Sequence, residues 1–312
     1  MNKDSSVFVA GERGLAGSAV RRALAARGFS NVISAPRAAV DLRDAAAVER
    51  LFAKERPAYV FMAAAKVGGI LANDSYPADF IRDNLLIQNN LIDASHRHGV
   101  RKFCFLGSSC IYPRLAPQPL REDSLLTGPL EPTNQWYAIA KIAGLKMCEA
   151  YARQYGFNAI SVMPTNLYGP GDNFDLQTSH VLPALIRKFH EAKTARSTAV
   201  TIWGSATPRR EFLHVDDLAD ALCFLMTSYD SPEIINVGCG EDVTIAELAS
   251  LVREIVGFAG AIELDRSKPD GTPRKLLDVT RMTRLGWRPR ISLADGIRST
   301  YRWFLEHPEA VR

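Results

Sequence analysis

Through the first half of the chain, short continuously apolar runs alternate with stretches whose apolar positions recur every three or four residues. Val7 to Ala10 is the first such run, and Gly11 stops it. From Leu15 to Ala26, the residues Ala16, Ala19, Val20, Ala23 and Leu24 fall on one side of a helix, which Gly28 ends. Val32 to Ala35 reads as a second strand, Asp44 as the N-cap of a helix reaching about Lys54, and Tyr59 to Ala64 as a third strand with no polar face. The pattern then predicts a long helix over Pro77 to His98 and a strand over Lys102 to Leu106. A helix over Tyr137 to Tyr155, closed by Gly156, and a strand over Ala159 to Met163, stopped by Pro164, complete the half. Strands without a wet face, separated by helices, predict an α/β fold with a doubly wound parallel sheet covered on both sides.

Beyond Pro164 the pattern loosens. Tyr168 to Asp175 and Ser267 to Pro273 read as loops, Val181 to Ala192 and Leu218 to Ser228 as helices, Val200 to Trp203 as a short strand. Ile234 to Val237 still looks like a buried strand of the first half. The expected division is a nucleotide-binding domain over residues 1–165, with a return segment near 213–240, and a smaller mixed α/β domain over 166–212 and 241–312. A length of 312 residues suits two domains at roughly 150 each.

Composition narrows the classes. Apolar residues make up 47% and charged residues 23%, which excludes a disordered chain. With 38 Lys and Arg against 34 Asp and Glu, nothing points to a nucleic-acid partner. The longest apolar run, Tyr59 to Ala65, is too short for a bilayer, and Met1 to Ser6 leads straight into a strand without a signal-peptide pattern. Cys104, Cys110, Cys148, Cys223 and Cys239 are odd in number with no C-x-x-C, as expected of small buried residues in a reducing cytoplasm. His96 and His98 have no third ligand nearby, so no metal site is expected.

Gly11, Glu12, Arg13, Gly14, Leu15, Ala16 and Gly17 form a G-x-x-G-x-x-G loop between the first strand and the first helix. Glycine belongs where backbone turns tightly, approaches a pyrophosphate and lets helix and strand pack; the helix N-terminus offers free N–H groups to phosphates. This is a Rossmann-type signature for a dinucleotide. The acidic residue that holds an NAD ribose is missing after the second strand, where Ala35, Pro36 and Arg37 stand. Arg13 and Arg37 suit a 2′-phosphate, so NADPH/NADP+ is the expected cofactor, with Asp41 and Leu42 near the adenine.

Tyr137 and Lys141 are four apart and share one helix face. A free phenol has a pKa near 10. A nearby ammonium is expected to lower it, letting Tyr137 protonate an alkoxide as hydride reaches a ketone, while a serine from the strand end, Ser108, hydrogen-bonds the same oxygen. His214, before Asp216 and Asp217, reads as a helix cap and not as part of a triad.

Together these residues resemble the extended short-chain dehydrogenase/reductase family. The resemblance is closest to its GDP-4-keto-6-deoxymannose 3,5-epimerase/4-reductases, carried by Ala64-Ala65-Lys66-Val67-Gly68-Gly69-Ile70, Gly107-Ser108-Ser109-Cys110-Ile111-Tyr112-Pro113, Glu131-Pro132-Thr133-Asn134, Pro164-Thr165-Asn166-Leu167-Tyr168-Gly169-Pro170, Ser179-His180-Val181, Arg210-Glu211-Phe212-Leu213-His214-Val215-Asp216-Asp217 and Lys268-Pro269-Asp270-Gly271-Thr272-Pro273-Arg274-Lys275. It implies epimerisation at C3 and C5 followed by reduction at C4, giving GDP-L-fucose. Cys110 would be the base and His180 the acid. Ser108 and Tyr137 would polarise O4, and Lys141 would support Tyr137 and the cofactor. Leu106, Gly107, Ser108 and Ser109, with Pro164, Thr165, Asn166, Leu167 and His180, would line the nicotinamide. Lys188, Trp203, Arg210, Asp270 and Lys275 would hold the GDP-sugar. The bland alternatives are a core place for Trp203 and an Arg210–Glu211 pair. The resemblance also implies a homodimer.

Two positions depart from the pattern. Glu12 stands where members commonly carry His, which puts a carboxylate near phosphates unless Arg13 neutralises it; Lys188 stands where Arg is common. Rival readings are a colitose-type 5-epimerase/4-reductase, a 4-epimerase that recycles NAD, and a non-catalytic NADPH sensor. The last usually lacks the Tyr or the Lys.

Overall fold

The computed structural model describes residues 1–268 and 270–310. Strand and helix alternate from the start: β1 (Val7–Ala10), α1 (Leu15–Ala26), β2 (Val32–Ile33), α2 (Ala45–Glu55), β3 (Tyr59–Met62), α3 (Ile70–Ser75), α4 (Pro77–Arg97), β4 (Lys102–Leu106), α5 (Gln135–Tyr155) and β5 (Ala159–Pro164). The second half is more broken: β6 (Asn166–Tyr168), α6 (Val181–Thr194), β7 (Ala199–Trp203), β8 (Arg209–Arg210), β9 (Phe212–His214), α7 (Val215–Ser228), β10 (Ile235–Val237), β11 (Val243–Thr244), α8 (Ile245–Val256), β12 (Ala261–Asp265), β13 (Arg274–Lys275), α9 (Thr280–Arg284) and α10 (Leu293–Glu306).

Six strands form a parallel sheet in the order β10-β5-β4-β3-β1-β2. Every residue of β1, β4 and β5 is buried, as a two-faced sheet requires. Alternation sorts them. Phe8, Val60, Met62, Phe103 and Phe105 pack with residues of α2, α4 and α5, while Val7, Val9, Phe61, Cys104, Ile160 and Val162 pack with residues of α1 and α7. A third cluster joins α6, α8 and α10 to β7 around Phe174, Phe189, Leu248 and Phe304. Cutting Phe8 to Ala, which removes its edge-on contact with Phe52 at 5.9 Å, is expected to cost about 3–5 kcal/mol.

Several boundaries move for local reasons. β2 stops at Ile33, because Ser34 turns its hydroxyl to the Glu12 carboxylate and Pro36 has no N–H to pair. α7 begins at Val215, three residues earlier than the apolar spacing suggests, because the His214 imidazole accepts the Asp216 N–H at 3.2 Å. That cap is the role anticipated for His214. Periodicity leaves α8 and α10 out, although α8 opens on a reciprocal Thr244–Glu247 capping box and α10 on a Ser292 cap.

The chain leaves β1 toward β2 on one side and returns to β3 on the other. Loops at the carboxyl ends of β1 and β3 therefore diverge and open a crevice, the place where open α/β sheets bind ligands.

Candidate active site

The glycine loop fills one lip of that crevice. Gly11 has φ +83°, and a Cβ there would stand 2.7 Å from the Ala64 backbone nitrogen. A Cβ on Gly17 would meet the Gly11 carbonyl oxygen at 2.1 Å, so only glycine lets α1 start this close to the strand. Gly14 caps α1 without a side-chain hydrogen bond, and no acidic residue occupies the first turn. Among the described residues the N–H groups of Leu15, Ala16 and Gly17 have no acceptor, which leaves them for an anion.

Glu12 does not face that anion. It is 5% exposed and turned inward, accepting from Ser34 Oγ at 2.6 Å and from Arg21 Nη1 at 2.5 Å. Its neutralising partner is Arg21 and not Arg13. Arg13 and Arg37 stay exposed and make no ion pair among the described residues. Asp41 is held by Arg43 through two carboxylate contacts, which lowers its pKa to about 2, and Leu42 packs against the sheet. Free helix N–H groups, two open guanidinium groups and no carboxylate facing the ribose fit a dinucleotide with a 2′-phosphate.

α5 carries the Tyr137–Lys141 pair to the ends of β4 and β5. Its buried face, Ala138, Ala140, Ile142 and Leu145, seats the helix, and a Cβ on Gly144 would stand 2.6 Å from the Phe105 ring. The Lys141 ammonium donates to the Leu106 carbonyl at 2.7 Å and lies 5.7 Å from the centre of the Tyr137 ring. Burial lowers the Lys141 pKa to about 8 and raises that of Tyr137. The expected lowering of the phenol is absent: desolvation dominates, and the ammonium is committed to a carbonyl. Tyr137 is thus a neutral acid, ready to donate.

Ser108 ends β4 and caps a short 3-10 turn, Ser109–Ile111, accepting the Cys110 N–H at 3.3 Å. Cys110 is 7% exposed, and burial raises its pKa; Lys275, Ser108 and Lys141 pull it back. The thiol acts in turn on Tyr137 and Lys141, so the three groups share one space. His180 is the N-cap residue of α6. Desolvation between the cleft walls and the Lys275 charge lower its pKa. Its loop is fixed by the Gly69 N–H, which donates to the Thr178 carbonyl at 3.0 Å.

Pro164, Thr165, Asn166 and Leu167 follow β5 into the crevice. Thr165 Oγ1 and Asn166 Nδ2 both donate to the Glu211 carbonyl, at 3.3 and 2.7 Å. Glu211 is fully buried, and its carboxylate accepts from the Gly240 and Leu277 N–H groups. It therefore does not pair with Arg210, whose guanidinium makes no ion pair among the described residues. Trp203 is no core residue either: it is 57% exposed, with Lys188 and Lys268 Nζ each 5.5 Å from its ring. Asp270 accepts the Ser205 N–H at 2.9 Å and lies near enough to Arg210 to favour its charge. Lys188, Trp203, Arg210 and Asp270 thus gather where β7, β8 and the loop before β13 meet. Lys275 adjoins them through its register with Arg210 and also lines the cavity that holds Cys110. Pro269 lies outside the described residues.

Sequence reasoning gave no role to Glu211, Gly69 or Lys268, though each lies inside a quoted motif. Glu211 adjoins Arg210 and Lys268 lies two residues before Asp270, which was a signal; Gly69 reaches the His180 loop only through the fold. Among the described residues no group of His, Cys, Asp or Glu could hold a metal, and no helix is long and apolar enough to cross a membrane.

A glycine loop at the switch point of a parallel sheet, with a Tyr–Lys helix beside it, defines a nicotinamide-dependent enzyme. The chain belongs to the NAD dependent epimerase/dehydratase family, whose model matches residues 7–238. It is 58% identical over 306 residues to a GDP-L-fucose synthase of Arabidopsis thaliana, covering 98% of this chain and 95% of that one. The solved GDP-L-fucose synthetase from Naegleria fowleri, bound to NADP, matches with a TM-score of 0.92 at 31% identity, over 100% of this chain and 97% of that chain. GDP-L-colitose synthase of Yersinia pseudotuberculosis is more distant, 39% identical over 85% of this chain and 87% of its own length.

Proposed function

We propose that the protein converts GDP-4-keto-6-deoxymannose to GDP-L-fucose, inverting C3 and C5 and then reducing C4. The observation that carries the reading is one cleft bringing a buried thiol, Cys110, to the Tyr137–Lys141 pair, with His180 on the α6 wall. The C4 ketone acidifies its neighbouring carbons. The Cys110 thiolate removes the proton from C3 or C5, and the electron pair passes to O4 as an enolate held by Ser108 and Tyr137. The His180 imidazolium returns a proton on the other face, and solvent restores both groups. Thiol and imidazole both work near neutral pH after modest tuning.

NADPH, held by residues 11–17, Arg13 and Arg37, with residues 106–109 and 164–167 at its nicotinamide, supplies the hydride for C4. Tyr137 gives its proton to O4, and the Lys141 ammonium, fixed by the Leu106 carbonyl, favours the phenolate left behind. Lys188, Trp203, Arg210 and Asp270 hold the GDP end: cations for the diphosphate, an indole for stacking, a carboxylate for hydroxyl or amine groups. The cofactor belongs to residues 1–165 with the return near 213–240, the nucleotide sugar to 166–212 and 241–312. Two copies pair through α4 and α5, where Leu86, Trp136 and Ile139 are exposed. Five free cysteines suit the reducing cytoplasm.

The test is turnover in heavy water with NADPH and GDP-4-keto-6-deoxymannose. Deuterium at both C3 and C5 is expected. Deuterium at C5 alone means the colitose-type reaction, and reduction with deuterium at neither carbon means a plain ketoreductase.

A further inference from the structure

A carbon base needs the thiolate, yet the place given to Cys110 opposes it. The side chain is 7% exposed, and desolvation is the strongest influence on it. Local charge has to offset that. The groups facing the thiol come from every neighbouring element. Its own turn gives Ser108, and α5 gives Tyr137 and Lys141. The stretch before α5 gives Glu131, the turn after Tyr112 gives Arg114, and β13 gives Arg274 and Lys275.

Most of these are committed or screened. Lys141 donates to the Leu106 carbonyl. Arg274 pairs with Asp242 at 2.5 Å. Arg114 is exposed, and Glu131 accepts from the Thr133 N–H and hydroxyl. Lys275 alone among these cations is half-buried and makes no ion pair or side-chain hydrogen bond among the described residues; Arg210 of β8 disfavours its charge, and it in turn disfavours charge on His180 at the start of α6. It lines the same cavity as Cys110, about 20 Å³ in volume, with Glu131, Asn134 and Gln118 around it.

The position of Lys275 is rigid. β13 pairs with β8, setting Lys275 opposite Arg210, and the Lys275 carbonyl accepts the Glu211 N–H at 3.3 Å. On its other side Leu276 N donates to Gln118 Oε1 at 2.9 Å, and Leu120 N donates to the Leu276 carbonyl at 2.7 Å. The strand is clamped between the substrate loop and the cavity wall.

We propose that Lys275 is a positioning residue for the epimerisation base: its ammonium, carried by the strand that walls the cavity it shares with Cys110, holds the thiolate available. This gives Lys275, which the resemblance puts at the GDP end and which stands in register with Arg210, a role at the reacting end as well. Burial opposes charge on both groups and each favours the charged form of the other, so the two ionisations are linked. The inference takes the role of Cys110 from the proposed function, but the ionisation of the thiol can be read without substrate.

The experiment follows iodoacetamide alkylation of Cys110 in the full-length enzyme against pH, read by mass spectrometry of the peptide that contains it. Lys275→Met is expected to raise the midpoint by about one pH unit, an about tenfold slower alkylation at pH 7, and Lys275→Arg to restore it. The pH profile of deuterium incorporation should shift the same way. If Lys275→Met is unstable, Lys275→Gln carries the comparison, with NADPH binding as the folding control. An unmoved midpoint overturns the inference, and does so whether or not GDP binding weakens. A moved midpoint in an enzyme that incorporates no deuterium supports the tuning and refutes the epimerase reading.

Discussion

Lys141 is 2% exposed yet carries a charge at neutral pH, and the fold bears the cost of that. A pKa of about 8 in the folded chain, against 10.5 for a free lysine, means the unfolded chain binds the proton more readily between those values. The penalty is therefore full below pH 8 and fades as pH rises toward 10.5; it is on the order of 3 kcal/mol. Lys141→Met is expected to raise the thermal midpoint at pH 7 while reduction falls by roughly 10²–10⁴-fold. Calorimetry and NADPH oxidation read the two effects. In the native enzyme, C4 reduction should decline as pH rises through about 8, because the Lys141 ammonium is lost while Tyr137 keeps its proton. Tyr137→Phe should lose reduction most and deuterium exchange at C3 and C5 less, whereas Cys110→Ala should lose exchange first. Normal epimerisation by Cys110→Ala, followed by NMR, would take the base assignment down.

Element starts and ends decide where these side chains act. The first turn of α1 offers its N–H groups only because Gly17 lets the helix begin against β1. Gly17→Ala would drive a methyl into the Gly11 carbonyl, which is backbone and cannot swing aside; NADPH affinity, measured by titration calorimetry, should drop at least about tenfold (about 1.4 kcal/mol). Arg37→Glu belongs to the same lip, and an unchanged NADPH-to-NADH ratio in that variant would count against a 2′-phosphate there. At the α6 start, His180 depends on a contact from α3. A Cβ on Gly69 would stand 2.8 Å from the Ser179 carbonyl, so Gly69→Ala should displace the His180 loop. Exchange at C3 and C5 should slow by about tenfold with NADPH binding intact.

For the whole molecule, three clusters divide the work: two cover the faces of the sheet and the third supports the region of Trp203 and Lys188. Glu211 is the knot between them, joining the loop after β5, the loop after β10 and β13 through five hydrogen bonds from its backbone and carboxylate. The exposed faces of α4 and α5 are the surface proposed for the dimer. Trp136→Glu combined with Ile139→Glu should yield a monomer by light scattering, and a dimer surviving both changes would place the interface elsewhere.

Periodicity alone determined most strands and helices of the first half, though not the short α3 or the end of β2, because a buried parallel strand and a core-facing helix each impose a spacing the chain must obey. The G-x-x-G-x-x-G loop and the Tyr137–Lys141 spacing were legible for the same reason, since each is local along one turn or one helix face. Burial and pairing were not. That Glu12 turns inward to Arg21, that Trp203 lies exposed between two lysines, that Glu211 spends its carboxylate on backbone N–H groups, and that Lys275 lines the cavity of Cys110 all depend on residues 9 to 165 positions apart. Desolvation, which reversed the expected direction for Tyr137, is a property of the packed surroundings and has no local signature. The order of residues specified which groups the protein owns; only their three-dimensional packing decided which are charged and what each one faces.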